Sequence, residues 1–201
     1  MAHTQARSPY PIAARELLRD SLLDAALEEL RQRPWSEITM ADVARAAGVS
    51  RQTLYKEFGS RDEFASALTL READRFLVAV ENTVRAHLDD PTAALAAAFG
   101  LFLTGAAENP LVLAVFRGGG EEFLELVTIR GKPLVEHAVD RLAAVMRSGW
   151  GEADPKGCSL LSECLVRLAI SYIALPRDST SVTADSIAEL FGPYIERLVE
   201  S

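Results

Sequence analysis

Apolar positions recur every three or four residues almost from end to end of the chain, and no run alternates polar and apolar residues over the length of a strand. Leu23, Leu27 and Leu30 predict a helix over 13–32, which Pro34 ends. Phe64, Leu68, Phe76, Val80 and Val84 carry a longer stripe from residue 61 to about Leu88. Further helices are expected over 92–107, 110–117, 121–130, 133–148, 158–175 and 184–200, with breaks at Asp90-Pro91, Asn109-Pro110, Gly118-Gly119-Gly120, Gly131-Lys132-Pro133, 148–157 and 176–180. The pattern predicts an all-α fold of about nine helices, with no repeats and no low-complexity segment.

Between the first helix and the long stripe, the punctuation is dense. Thr39-Met40-Ala41-Asp42 offers a hydroxyl cap with an acid three residues later. The short helix it opens ends at Gly48, the residue type best suited to a left-handed C-terminal turn. Ser50 caps a second short helix over 51–58, Gly59 ends it, and Ser60-Arg61-Asp62-Glu63 is a capping box that opens the long helix. Two helices of about two turns joined by a tight Gly-containing turn form a helix-turn-helix, whose second helix enters the major groove of DNA. Ile38, Val43, Ala44, Ala47, Val49, Leu54 and Phe58 are spaced to share a small core with the first helix.

The second helix would then expose Arg51, Gln52, Thr53, Tyr55 and Lys56. Arg and Gln can pair bidentately with base edges, and Thr offers a hydroxyl or a methyl. Tyr and Lys suit phosphate contacts, which set register. Thr39 and Arg61 stand beside helix starts, placed to flank the groove, and Arg45 adds a cation to the first short helix. A short Ala-Gly-Val turn can also serve packing alone; the three successive caps and the polar outer face favour DNA reading.

Composition first argues against this and then, once divided, supports it. The 201 residues are 49% hydrophobic and 25% charged, with a formal net charge of −8. That is the balance of a soluble globular chain, and its sign argues against a general nucleic-acid coat. Yet residues 1–61 hold nine Arg or Lys against eight Asp or Glu, while the remainder holds twelve against twenty-one. From Arg45 to Arg61 there are four cations and one acid. A locally basic head sits on an acidic body.

The remaining chemistry is sparse. Cys158 and Cys164 are the two cysteines, six apart on different faces of a helix, and are expected as free thiols in a reducing cytoplasm. His3, His87 and His137 are scattered, so no metal site and no cofactor are expected. The polar segment Met1 to Pro11 lacks the apolar centre of a signal peptide. The uncharged stretch 91–107 falls short of the roughly 20 residues of a membrane span and reads as a core helix. Gly118-Gly119-Gly120 has no following Lys and is no phosphate cradle. No nucleophile elbow, Walker loop or dinucleotide fingerprint is present, which leaves an enzyme as the weak alternative.

The run Ile38-Thr39-Met40-Ala41-Asp42-Val43-Ala44-Arg45-Ala46-Ala47-Gly48-Val49-Ser50, then Thr53-Leu54-Tyr55 and Phe58, then Ser60-Arg61-Asp62-Glu63-Phe64, closely resembles the N-terminal domain of TetR-family transcriptional regulators. The likeness spans roughly Arg15 to Leu70. It implies a DNA-binding domain over 1–60 and an effector-binding and dimerisation domain over 61–201. It implies a homodimeric repressor on a palindromic operator, released by a small molecule; an activator of the same fold is the alternative. By position, Thr39, Tyr55, Lys56 and Arg61 match phosphate contacts, and Arg51, Gln52 and Thr53 match base-reading positions. Gln52 stands where many members carry a smaller residue.

In the body, Phe99, Phe102, Leu103, Phe116, Phe123, Leu124, Val127, Val135, Ala138 and Leu142 could line an apolar cavity or serve as ordinary core. Arg130, His137 and Arg141 are candidate polar anchors there. So few inward ionisable groups suggest an apolar, elongated effector such as a fatty-acyl or other lipid-like molecule. Leu161, Leu165, Leu168 and Tyr172, and then Ile187, Phe191, Tyr194 and Leu198, repeat at 4, 3, 4, with Leu190 widening the second stripe. Two such helices from each of two chains would make a four-helix dimer interface.

Overall fold

A computed structural model describes residues 10–116, 121–151, 153–175 and 180–200. Ten α-helices cover them, with no strand among the described residues: α1 (Tyr10–Gln32), α2 (Met40–Ala46), α3 (Arg51–Phe58), α4 (Arg61–Ala86), α5 (Pro91–Glu108), α6 (Pro110–Phe116), α7 (Glu121–Thr128), α8 (Lys132–Gly149), α9 (Pro155–Ala174) and α10 (Thr180–Val199). Each corresponds to one of the helical segments read from the sequence. A 3₁₀ turn at Trp35–Glu37, unforeseen in the apolar pattern, links α1 to α2. Helix α9 begins earlier than periodicity indicated because Asp154 caps it with Pro155 in its first turn; α10 also begins earlier and runs on through Pro193. The triglycine 118–120, residues 176–179 and the side chains of Phe116, Val127 and Thr180 lie outside the described residues.

The local chemistry of the head explains its three short helices. Thr39 and Ser60 each form both halves of a capping box, with Asp42 and Glu63 respectively, and Ser50 accepts from the amide of Thr53. Gly48 and Gly59 take φ of 71° and 82°, the region where a side chain is strained, and so allow the sharp turns after α2 and α3. Val43, Ala44, Leu54 and Ile38 are all but inaccessible to solvent.

One cluster joins these residues to Leu22, Leu23, Leu27 and Leu30 of α1, and to Phe64, Ala65 and Leu68 of α4. It continues into Leu111, Ala114 and Phe123 of α6 and α7. The boundary expected at residue 60 is therefore not a seam: the first two turns of α4 belong to the core of the head, and α6 and α7 are packed into it. In the body, α10 lies along α5 and α9 along α8, while α4 packs against both α5 and α8. Gly192 lets α10 approach α5 closely at Thr92. Helices α5 and α9 are long and apolar enough by composition to cross a membrane, yet here α5 buries Ala94, Leu95, Ala98, Phe99, Leu103 and Ala106 as core.

Candidate DNA-reading head and effector cavity

Helix α3 presents a polar outer face. Arg51, Gln52 and Lys56 are exposed, and Thr53 and Tyr55 are half-buried. Positions 51 and 55, like 52 and 56, are one helical turn apart, so the four side chains form one patch. The Arg51 guanidinium stands 5.2 Å from the Tyr55 ring centre, and its Nη2 donates weakly to the Tyr55 hydroxyl at 3.5 Å. The Thr53 hydroxyl lies 2.8 Å from Ser50 Oγ, so it is engaged in the cap as well as facing outward. Helix α1 grips the far end of α3: Arg15 pairs with Glu57 at 2.6 Å, and Arg19 donates to the Glu57 carbonyl and covers the Phe58 ring at 4.1 Å.

Thr39 and Arg45 are exposed at the two ends of α2, and both engage Asp42. The Thr39 hydroxyl and amide, with Arg45 and Arg33 near by, hold the Asp42 carboxyl well below the usual carboxylate range.

Arg61, expected beside the phosphate backbone, is engaged within the chain. Its Nη1 donates to the carbonyl of Ile38 at 2.5 Å and its Nη2 to the carbonyl of Trp35 at 2.7 Å. The guanidinium also lies over the Trp35 ring, 4.1 Å from its centre. Two of its donor groups are committed to backbone carbonyls of the α1–α2 link, so its role in this structure is to fix the start of α2. The Trp35 indole is fully buried and donates to Glu122 Oε2 of α7 at 2.6 Å. Arg61 Nε is 3.8 Å from the same oxygen. Sequence reasoning missed both Trp35 and Glu122; a tryptophan directly after the helix-ending Pro34 was the available signal.

The body encloses an apolar cavity of about 170 Å³. Phe76, Leu77, Val80 and Val84 of α4 form one wall, with Ala98, Phe99 and Phe102 of α5. Phe123 and Leu124 of α7, Leu142 and Met146 of α8, and Leu165 and Ala169 of α9 complete it. Phe99, Phe102, Phe123 and Leu124 are thus lining residues, and Leu103 is buried in the core without lining the space.

His137 and Arg141 do not face the cavity, which corrects their candidacy as anchors. They lie on the outer seam between α8 and α4, where Arg141 pairs with Glu81 at 2.7 Å and Asp74 at 2.9 Å, and His137 Nε2 lies 2.9 Å from Asp74. Arg130 is exposed.

The polar lining is Thr69, Glu72 and Asn109, at the end nearest the head. Thr69 donates to the Ala65 carbonyl, Asn109 Nδ2 donates to Glu72 Oε2 at 2.7 Å, and Arg75 Nη1 donates to Glu72 Oε1 at 3.0 Å. Arg75 in turn reaches Asp24 of α1 at 3.1 Å. Glu72 is buried, and the four-residue spacing Phe64, Leu68, Glu72, Phe76, Val80, Val84 shows it as a carboxylate interrupting an apolar stripe. That interruption was the sequence signal for a cavity wall on α4.

The expected intersubunit stripes are mostly used within the chain. Leu161, Leu165, Ile187 and Leu198 are buried in the core of the body, which corrects their assignment to a partner-facing seam. Leu168, Tyr172, Phe191 and Tyr194 are half-buried against that same core. Leu190 alone of the nine is open, at 70% exposure, and Leu160 of α9 is 56% exposed.

Comparison with known proteins agrees with this architecture at both ends. The family described as "Bacterial regulatory proteins, tetR family" matches residues 22–68, and "Bacterial Tetracyclin repressor, C-terminal domain" matches residues 90–193. The chain is 39% identical over 192 residues to the HTH-type transcriptional regulator AlkX of Mycobacterium tuberculosis, covering 95% of this chain and 91% of that protein. It is 30% identical over 198 residues to an uncharacterized HTH-type transcriptional regulator of the same species, covering 90% and 86%. Among solved structures it is similar to the TetR family repressor AlkX from a Dietzia species, implicated in biodegradation of n-alkanes, with a TM-score of 0.80, 31% identity and coverage of 90% and 96%.

Proposed function

This chain belongs to the TetR family of DNA-binding transcriptional regulators, and from that premise we propose that it is a homodimeric repressor released from a palindromic operator by an apolar, elongated effector. The observation that carries the reading is the sharing of Leu111 and Phe123: both belong to the core of the DNA-reading head and both line the cavity of the body. A molecule that fills the cavity therefore presses on the same side chains that seat the head. Among the described residues no Lys, Arg or His lines the cavity, so an uncharged hydrocarbon chain is the favoured part of any ligand. The AlkX repressor from Dietzia is implicated in n-alkane biodegradation, and a related effector chemistry fits this cavity.

Dimerisation supports operator geometry. Two recognition helices held about 34–36 Å apart would enter successive major grooves. Leu160 and Leu190 on α9 and α10 are the open apolar positions for such contacts. Release requires the effector to favour a geometry other than the DNA-bound one, since equal affinity for both shifts nothing.

The test is selection of bound duplexes from a random library, followed by titration of the recovered complex with n-alkanes, 1-alkanols and fatty acids. A palindromic site that is released by single-chain amphiphiles or hydrocarbons is expected. An asymmetric site, or release by polar ligands alone, overturns the reading.

A further inference from the structure

We propose that Glu122 is the positioning residue through which cavity occupancy reaches the DNA-reading head, by holding or releasing Trp35 and Arg61. This rests on the effector-released repressor proposed above. The residue sits on α7 beside Phe123, and the two neighbours point at different things. Phe123 is fully buried, lines the cavity, and its ring centre is 5.1 Å from that of Trp35. Glu122 Oε2 accepts from the Trp35 indole at 2.6 Å and lies 3.8 Å from Arg61 Nε. Its other oxygen, Oε1, is buried and has no hydrogen-bond partner among the described residues.

The two groups that hold this carboxylate both belong to the head. Shifting α7 therefore changes the Glu122 contacts with Trp35 and Arg61. Those two in turn fix the α1–α2 link, because Arg61 donates to the carbonyls of Trp35 and Ile38, and Ile38 directly precedes the α2 cap Thr39. A ligand wedged against Phe123 would move α7, loosen the Glu122 contacts, and free the seat of α2 beneath the reading helix. A part-buried hydrogen bond to a carboxylate is worth enough to bias such an equilibrium several-fold to a hundredfold.

The experiment uses the full-length protein, the duplex recovered by selection, and 1-decanol as probe. DNA affinity is measured with and without probe for wild type, Glu122→Gln and Glu122→Ala. Cavity occupancy is followed by native mass spectrometry, and the indole N–H signals of Trp35 and Trp150 by NMR, assigned with Trp35→Phe. In wild type, 1-decanol should weaken DNA binding about tenfold or more and move the Trp35 indole signal. In Glu122→Ala the probe should still bind, but DNA affinity should change less than about twofold. Glu122→Gln, which keeps an acceptor for the indole, should restore part of the response.

Release of Glu122→Ala at the same probe concentration as wild type overturns this inference and leaves the repressor reading standing. Failure of wild type to bind the probe or to respond to it overturns the effector reading and this inference together.

Discussion

Arg61 in the first turn of α4 donates to the carbonyl of Ile38, 23 residues earlier and immediately before the cap of α2. The long helix of the body is thereby tied to the base of the helix-turn-helix by a charge-assisted bond, with a second bond to the Trp35 carbonyl. Removal of the guanidinium should loosen the head rather than remove a DNA contact. Arg61→Ala is expected to destabilise the head by about 2–3 kcal/mol, as two bonds to a charged group are lost. Hydrogen exchange should accelerate across α2, while the slope of log DNA affinity against log salt stays that of wild type. A slope reduced by about one would mark Arg61 as a phosphate contact instead.

The outer face of α3 divides by chemistry. Lys56→Ala should weaken DNA binding across all sequences and lower the salt slope by about one. Gln52→Ala should change which bases are preferred at one position, by about 1–3 kcal/mol, with the salt slope unaltered. Competition binding with single-base operator variants at several salt concentrations separates the two, and equal loss of base preference from both substitutions contradicts the division.

Capping predicts a pH dependence. Asp42 accepts from the hydroxyl and the amide of Thr39 and pairs with Arg45 and Arg33, which holds its carboxyl well below the ordinary value. A depressed folded-state value means the contribution is fully present above the unfolded value near pH 4 and is lost as pH falls further. Asp42→Asn should therefore lower stability at neutral pH and flatten the acid limb of the pH–stability curve below about pH 4, measured by thermal denaturation.

Much of the head was legible in the sequence because its instructions are local. Thr39–Asp42, Gly48, Ser50, Gly59 and Ser60–Glu63 each fix a helix end within four residues, and the structure forms every one of these caps and turns. The body was less legible because its choices are between long-range partners. An apolar stripe such as Leu161, Leu165, Leu168 and Tyr172 says that a face is buried, not whether the covering surface is the same chain or a second one. The cations Arg141 and His137 looked like anchors within an apolar segment, and their acidic partners on α4 are sixty or more residues away. The link between Trp35 and Glu122, 87 residues apart, has no local signature at all.

The surface left by that burial sets the oligomerisation test. Leu190→Glu places a charge on an exposed position and should leave the subunit folded. If α10 meets a partner, the substitution shifts the protein toward monomer in light scattering and weakens binding to a two-half-site duplex far more than to a half-site. Leu161→Ala, at a fully buried position, should instead cost about 2–5 kcal/mol of stability whatever the oligomeric state.

Filling the cavity separates effector binding from DNA binding. Ala98 lines the space from α5 and is remote in sequence from the head. Ala98→Phe inserts a ring into the empty volume, removing room for a ligand and adding apolar contacts where there were none. Where the ring fits without strain, thermal stability should hold or rise; overpacking would lower it by about 1–3 kcal/mol. Operator affinity without ligand should match wild type, because α3 and its caps are untouched. Release by an apolar probe should require at least about tenfold more ligand, since even a few methylene groups denied burial cost about 0.8 kcal/mol each. Unchanged release by Ala98→Phe would place the effector elsewhere in the protein.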